Sequence, residues 1–497
     1  MTQKRAYISV ADKENIEILA KNLIDKKYEI ISTGNTHKYL KEKGINVIEN
    51  STITGFNELL GGKVKSLHPT IFAGILANQE ERLDKEIKSF DLVAVDLYPF
   101  ENYMDKNVET ETLILNIDIG GVALLRAAAK NYENVIVISD KKDYSIDLDE
   151  IDEDKRQKLA LKAFSKTSKY DYLINKKLSK QFKSEQENKA FYFEKLQNLR
   201  YGENPHQMAG LYSFDKELDW ELLNGKEMSY NNILDSTSAL EIAAEFFDVA
   251  CCTIIKHTTP CAVALSSNIE TAWDKALDSD PISPFGGVVA FTQEVNLSLA
   301  KKLSAMFLEV ILAPSYSIEA LEELKKKKNL RIIKINTPYE TILKFSEEEI
   351  KLTPFGALIQ QKDTKDLDVS TFKVVTKKKP EQRELEDMIF AFKVVKHVKS
   401  NAIVIAKDLR TIGICGGQTS RVSSVEIALN KVCDSPKGSI LASDGFFPAI
   451  DNIQIAAQNR VSAIIQPAGS IKDKEVIETA DKYEISMIST GIRHFKH

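Results

Sequence analysis

Apolar residues along this chain fall into two alternating patterns, short β-branched runs and longer stretches with helical spacing. Ala6 to Val10 reads as a strand, and Ile16, Leu19 and Leu23 then recur on one helix face. Tyr28 to Ser32 is a second strand, followed by the polar turn Thr33-Gly34-Asn35-Thr36 and a helix through Leu40. Asp91 to Leu97 and Asn134 to Ser139 are further strands, and the Ala-rich segment Val122 to Lys130 between them is helical. Four strands alternating with helices predict a parallel sheet with right-handed crossovers. Helical spacing continues from Leu159 to Ile174, and the polar stretch Asn175 to Asn188 reads as a linker. The pattern therefore predicts one α/β domain over 1–190 and a second region over 191–497.

In the second region the β-branched run Thr253 to Ile255 reads as a buried strand of a parallel sheet. It delivers Lys256 and His257 to its carboxyl end, with Pro260 preventing continuation. Ligands of open α/β sheets bind outside carboxyl ends of strands, so chemistry is expected there. An imidazole exchanges protons near neutral pH, and a neighbouring ammonium can share a proton or hold an oxyanion. The plainer alternative is a hydrogen-bonded strand-end His beside a solvated Lys. Phe307 to Pro314 is another apolar strand, and a second βαβ region starts near Phe392 with a strand at Ala402 to Ala406.

Composition narrows the function classes. A length of 497 residues suggests about three folding units. The net charge of −5, without a basic tail, disfavours general nucleic-acid binding. Basic runs at 325–328 and 377–379 read as solvated faces. Five cysteines without repeating spacing fit a reducing compartment, and Cys251, Cys252 and Cys261 read as buried, inert thiols. A zinc deaminase would show H-x-E and P-C-x-x-C, but His257 is followed by Thr258-Thr259, and Pro260-Cys261 by Ala262-Val263-Ala264. With no signal peptide and no stretch approaching a membrane span, a cytoplasmic protein is expected, without membrane partners.

Candidate ligand-binding residues cluster at turns. Ser9 and Lys13 fall at a strand-to-helix turn, and Thr33, Gly34 and Thr36 at a helix amino terminus suit either a phosphate or an ordinary cap. The glycine-hinged loop 61–69 carries Lys63, Lys65 and Ser66; Tyr98 follows a strand, and Asp118 and Gly120 enter the helix that ends at Lys130. Later come Arg200-Tyr201, the tight loop with Phe285-Gly286, and Glu309 inside an apolar strand. A buried acid needs a partner: a ribose hydroxyl, an amine or a structural salt bridge. Asn401 precedes a strand, Arg421 follows the Gly-rich run 413–417, and Phe446, Pro448 and Asp451 surround another turn. Termini usually fray, so the cationic, aromatic ending with Arg493 suggests one tied into a site.

These motifs, in this order, resemble a known bifunctional purine-biosynthesis family. Ser9-Val10-Ala11-Asp12-Lys13, Lys63 to Pro69, Leu97-Tyr98-Pro99-Phe100 and Ile117 to Gly121 resemble its methylglyoxal-synthase-like IMP cyclohydrolase half. The motifs around Arg200, Lys256-His257, Phe285-Gly286, Asn401, Arg421, Phe446 and Arg493 resemble its formyltransferase half, which has two cytidine-deaminase-like α/β lobes without zinc. The resemblance implies formyl transfer from 10-formyltetrahydrofolate to 5-aminoimidazole-4-carboxamide ribonucleotide (AICAR), then closure to IMP, with no metal. It assigns catalysis to Lys256, His257 and Asn401 in one half and to Lys65, Tyr98, Asp118 and Lys130 in the other. Arg200, Tyr201, Phe285, Gly286, Glu309, Arg421, Phe446 and Arg493 would bind ribonucleotide, and Pro448 and Asp451 the folate. It further implies a homodimer whose formyltransferase sites take residues from both subunits. The chain departs from the family's usual residues at Asp96, Thr258, Thr259, Ala262, Cys415, Ala449 and Ala468. These departures motivate a rival reading, a nucleotide-binding protein with decayed catalysis.

Overall fold

Short apolar strands with helices between them have to bury both faces of a sheet, and this is the solution found in both units of the chain. The computed structural model describes residues 3–497 except 84–85, 185–187, 215–216, 366 and 434. Two compact units run over 1–192 and 193–497. The first contains β1 (Arg5–Ser9), α1 (Ile16–Asp25), β2 (Glu29–Ser32), α2 (Gly34–Glu42), β3 (Ile48–Glu49), α3 (Asn50–Thr54) and α4 (Pro69–Leu76). It continues with β4 (Leu92–Val95), α5 (Thr110–Leu115), α6 (Gly120–Lys130), β5 (Ile136–Ile138) and α7 (Glu153–Phe182). The strands form a parallel sheet in the order β3-β2-β1-β4-β5. The order reverses at β1, which places a topological switch point at the carboxyl ends of β1 and β4.

Two expectations change here. Helix α7 continues through most of the predicted linker, to Phe182, because Leu178 lies one turn beyond Ile174 and also packs on the core. The 21-residue stretch Thr110–Lys130 is apolar and long enough to cross a membrane, contrary to the sequence reading. It is broken into α5 and α6, and Leu124, Leu125, Ala127, Ala128 and Ala129 of α6 are buried in the unit's own core.

The second unit opens with a two-stranded ribbon of β6 (Glu194–Leu199) and β7 (Ala209–Ser213), then β8 (Trp220–Asn224) and α8 (Tyr230–Ala244). A hairpin of β9 (Ala250–Lys256) and β10 (Thr259–Ser266) leads to α9 (Ile269–Ser279), β11 (Gly287–Phe291), α10 (Leu297–Ser304), β12 (Leu308–Ala313), α11 (Ile318–Lys325) and β13 (Arg331–Ile335). After α12 (Tyr339–Ile342) and a hairpin of β14 (Glu348–Thr353) and β15 (Gly356–Gln361) comes β16 (Lys373–Val374). The same series then repeats: α13 (Gln382–Val395), a hairpin of β17 (Ile403–Lys407) and β18 (Arg410–Cys415), α14 (Arg421–Asn430), β19 (Ile440–Ser443), α15 (Asp451–Gln458), β20 (Ala463–Gln466), α16 (Asp473–Lys482) and β21 (Ser486–Ser489).

One twelve-stranded sheet joins the two lobes, in the order β16-β21-β20-β19-β17-β18-β10-β9-β11-β12-β13-β8. Each lobe contributes an antiparallel hairpin, three parallel strands and an antiparallel edge strand, and the lobes meet where β10 pairs antiparallel with β18. Side chains of α8 and α13 fill one shared core, while α9 to α11 and α14 to α16 cover the opposite face of their own lobes.

The pairing corrects the reading of the central strand. β9 is antiparallel to both neighbours, β10 and β11. It reads as a continuous apolar run because both faces are covered, whatever the direction of its partners. Pro260 does not end it. The chain turns at His257-Thr258, and Pro260 belongs to the returning strand, at a register shift. Cys251 and Cys252 lie inside β9 and Cys261 inside β10, all without disulfide partners. Burial pushes the Cys251 and Cys261 thiols up to about 12, so both are neutral and inert.

Candidate active sites

In the first unit most of the candidates gather at the switch point. Ser9 closes β1, and its hydroxyl lies 3.0 Å from that of Thr33, the N-cap of α2. Thr33 makes no side-chain cap to the helix, and its carbonyl accepts the Thr36 and His37 amides instead. Thr36 Oγ1 donates to the Val10 carbonyl at 3.0 Å and so fixes the β1 turn. A Cβ on Gly34 would sit 2.9 Å from Glu58 Oε1 and 3.5 Å from Lys65 Nζ, which places a carboxylate and this ammonium at the same helix end. Lys13 Nζ donates to the carbonyls of Val10 and Ala11. Burial and the Lys65 charge lower the Lys13 pKa, while Asp96 and Asp12 oppose the drop.

Asp118 completes the group. Burial raises its carboxyl above the ordinary range, against amide donors from Gly121 (at 2.7 Å) and Tyr98 and against the Lys65 charge; the Asp96 charge adds to the rise. A Cβ on Gly120 would meet Ser66 Oγ at 2.6 Å, so the start of α6 presses against the loop carrying Lys65. That loop is held from below, where Asn50 Nδ2 donates to the Lys65 carbonyl at 2.6 Å and Tyr7 OH to Asn50 Oδ1 at 3.0 Å. Asn50 carried no signal in the sequence reading. Lys63 is exposed on the same loop, and Tyr98 is 40% exposed. Lys130 is not brought to this group. It ends α6, about 15 Å along the axis from Gly120 at 1.5 Å per residue.

In the second unit the candidates spread along one end of the large sheet. The carboxyl end of β9 lies at the same end of the sheet as the amino ends of β11 and β12, so Lys256-His257 shares that end with Phe285-Gly286 and Glu309. The rule that sites sit at carboxyl ends thus holds here for the hairpin strand but not for the parallel strands of this lobe. Lys256 Nζ donates to the Phe285 carbonyl at 2.9 Å, His257 is exposed, and Phe285 stands 63% exposed against Phe307. Gly286 takes φ 74°, a conformation that suits glycine. Glu309 is half-buried, and within the chain Asn232 Nδ2 donates to it at 2.7 Å. Arg200 stacks over Tyr201 beyond β6, and Asn231 of α8 donates to the Glu203 carbonyl of the same loop.

The other lobe presents the carboxyl ends of β19 to β21 at this same end of the sheet. Arg421 is buried and ion-paired with Asp444, and it donates to Ser443 Oγ at 2.8 Å and Asn401 Oδ1 at 2.7 Å. Asn401 in turn donates to the carbonyls of Gln418 and Thr419. A Cβ on Gly445 would come within 2.6 Å of Phe495 and 2.7 Å of Arg421, so the C-terminal tail packs closely against this glycine. The tail is tied down, with His494 N donating to the Asp444 carbonyl and Nδ1 paired to Asp363 at 2.6 Å. Arg493 lies over the Phe495 ring. Phe446 and Pro448 are exposed nearby. Asp451 Oδ1 accepts from Asn452, whose own Oδ1 is buried without a hydrogen-bond partner, a polar atom that the sequence reading did not single out.

Two strands separate β9 from β17, so Lys256-His257 and Asn401 stand about 14 Å apart at 4.8 Å per strand. Substrates, not side chains alone, must span that gap. Between the two, a cleft of about 220 Å³ is lined by Lys256, His257, Thr259 and Cys261 from one lobe and by Ile414 and Lys431 from the other. Among the described residues no three His, Cys, Asp or Glu side chains gather as a metal-binding set.

The family described as "AICARFT/IMPCHase bienzyme" matches residues 128–431, and an "MGS-like domain" matches 15–123. A relative from Thermoanaerobacter sp. (strain X514), named bifunctional purine biosynthesis protein PurH, is 48% identical over 512 residues, covering 99% of this chain and 100% of the relative. Proteins of the same name from Aquifex aeolicus (strain VF5) and Clostridium perfringens (strain SM101 / Type A) are 45% and 46% identical, covering 99% and 100% of this chain and all of each relative. With two sites on two α/β units and full-length similarity at this level, the chain belongs to the AICARFT/IMPCHase bienzyme family of bifunctional purine-biosynthesis enzymes.

Proposed function

We propose that the chain formylates AICAR with 10-formyltetrahydrofolate in its second unit and closes the product to IMP in its first. The observation that carries this reading is the convergence of motifs scattered over the sequence onto one end of each sheet. In formyl transfer the AICAR amine attacks the formyl carbon, the bond from that carbon to the folate nitrogen breaks, and a proton returns to that nitrogen. His257, exposed at the turn, accepts the amine proton. Lys256 stabilises the tetrahedral oxyanion, and Asn401, steadied by Arg421, orients the carboxamide. The exposed Pro448 and the neighbouring Asp451 are the candidates for holding the folate.

In the first unit the bound formylated nucleotide brings both reacting groups together, which supplies much of the acceleration. The carboxamide nitrogen attacks the formyl carbon and water leaves. Phosphate rests on the α2 amides with Ser9, Lys13, Thr33 and Thr36, while Lys65 stabilises the oxyanion and Asp118 moves the proton. We further propose a cytoplasmic homodimer with small-molecule partners only and no metal requirement.

The test is a coupled assay of purified protein with AICAR and 10-formyltetrahydrofolate, detecting tetrahydrofolate and IMP separately. Matching rates of both products are expected. Nucleotide binding without either product would favour the decayed-catalysis reading, and Lys65→Ala should abolish closure of added formylated nucleotide without affecting formyl transfer.

A further inference from the structure

The β9–β10 turn contains His257 and Thr258 alone, with φ of 53° and 60°. A two-residue hairpin with both central residues left-handed favours Asn-Gly. Here a histidine and a β-branched threonine occupy it, in a backbone conformation that such side chains rarely adopt. Something outside the turn has to hold it. Asp235, on the second turn of α8, accepts the Thr258 amide at 2.6 Å through Oδ1. Helix α8 is itself anchored by a Ser229/Asn232 capping box, and Asn232 is tied to Glu309.

The other lobe repeats the device. Asp408 and Leu409, between β17 and β18, both take φ of 57°. Asp387 accepts their amides at 3.0 and 2.6 Å. Asp235 and Asp387 are each the sixth residue of their helices, and both helices begin with capping boxes. One arrangement is therefore used twice, at opposite ends of the sheet, and only one copy carries an imidazole.

We propose that Asp235 is a positioning residue for formyl transfer, holding the left-handed turn that presents His257; this rests on reading His257 as the proton acceptor. Without the carboxylate the turn relaxes toward ordinary φ, and the imidazole leaves the strand end at a different angle. A displacement of about 1 Å at a reacting group costs up to about 100-fold in rate. Asp387 does the same mechanical work at a turn with no chemistry, which makes it the internal control.

The experiment compares full-length Asp235→Ala, Asp235→Asn, Asp387→Ala and His257→Ala proteins by formyl-transfer kcat, KM for AICAR, closure of added formylated nucleotide, and urea midpoint. Asp235→Ala should lower formyl-transfer kcat by about 10- to 100-fold, with KM for AICAR and the closure rate nearly unchanged. Asp235→Asn, which keeps an acceptor oxygen, should recover most of that kcat. Asp387→Ala should lower the urea midpoint but retain kcat. Wild-type kcat in Asp235→Ala would overturn the inference, as would an equal kcat loss in Asp387→Ala or no recovery in Asp235→Asn. Wild-type turnover in His257→Ala would instead overturn the underlying assignment of His257.

Discussion

Asp96 is one of the departures that the resemblance singles out, and the structure shows how its charge is met. Lys166 of α7 donates to Oδ1 at 2.7 Å, and the Asp12 amide to Oδ2 at 3.2 Å. The charge still acts on the site, supporting the Lys13 cation and raising Asp118. Lys166→Ala should therefore unbalance the site more than Asp96→Asn does. We expect KM for the formylated nucleotide to rise by about threefold or more in the first and to stay near wild type in the second; equal effects would show that Lys166 does not neutralise Asp96. Ala468 is a departure with a backbone cost, because its φ is 61°. Ala468→Gly should stabilise the protein by about 0.5–1 kcal/mol, read as a higher urea midpoint with unchanged slope. Ala262 and Cys415 lie in paired strands and are not among the left-handed positions, so neither replacement carries that penalty. Which of these substitutions was costly was not legible in the chain, since the sign of φ at a loop position is set by the tertiary path. The types of residue that converge were legible, and the partner of Glu309 was not, because Asn232 lies far from it in sequence.

At the scale of elements, periodicity exposed most of the strands and helices that carry the two sites. The two-residue β3 was too short to show a period. The β9–β10 hairpin was missed for a chemical reason, because His257-Thr258 lacks the Asn or Gly that marks a tight turn, while Pro260 imitates a strand end. The placement of α6 was half legible. Its Gly120-Gly121 start announces a close approach, but not that Ser66 is the group approached. Gly120→Ala should drive a methyl into Ser66 Oγ and push the Lys65 loop away from Asp118. Closure of added formylated nucleotide should fall by about 10-fold or more, with formyl transfer at the wild-type rate. A variant closing the ring normally would show that the loop can yield without loss of geometry.

The whole second unit is held as one body by what its duplicated lobes share, and that duplication was not visible as a sequence repeat. Equivalent positions carry different side chains: His257-Thr258 answers to Asp408-Leu409, and the capping boxes are Ser-Asn in one lobe and Glu-Glu in the other. Only strand direction and order reveal it. Beside the shared core of α8 and α13, an ion cluster also ties the lobes. Glu245, the C-cap of α8, accepts from Lys396 and lies 3.0 Å from His397, while Lys393 donates to its carbonyl at 2.9 Å. Burial alone would raise this carboxyl, but His397 and Lys396 outweigh it and hold the pKa at about 2. Because the folded value lies below the ordinary 4.5, the stabilisation is complete above that range and is lost as pH falls toward about 2. Glu245→Gln should thus lower unfolding free energy by about 3 kcal/mol at pH 7. The gap from wild type should narrow steadily below pH 4.5, followed by urea unfolding across that range. A gap that does not change with pH would mean that the cluster contributes packing rather than charge, and that the lobes are joined by the apolar core and the β10–β18 pairing alone.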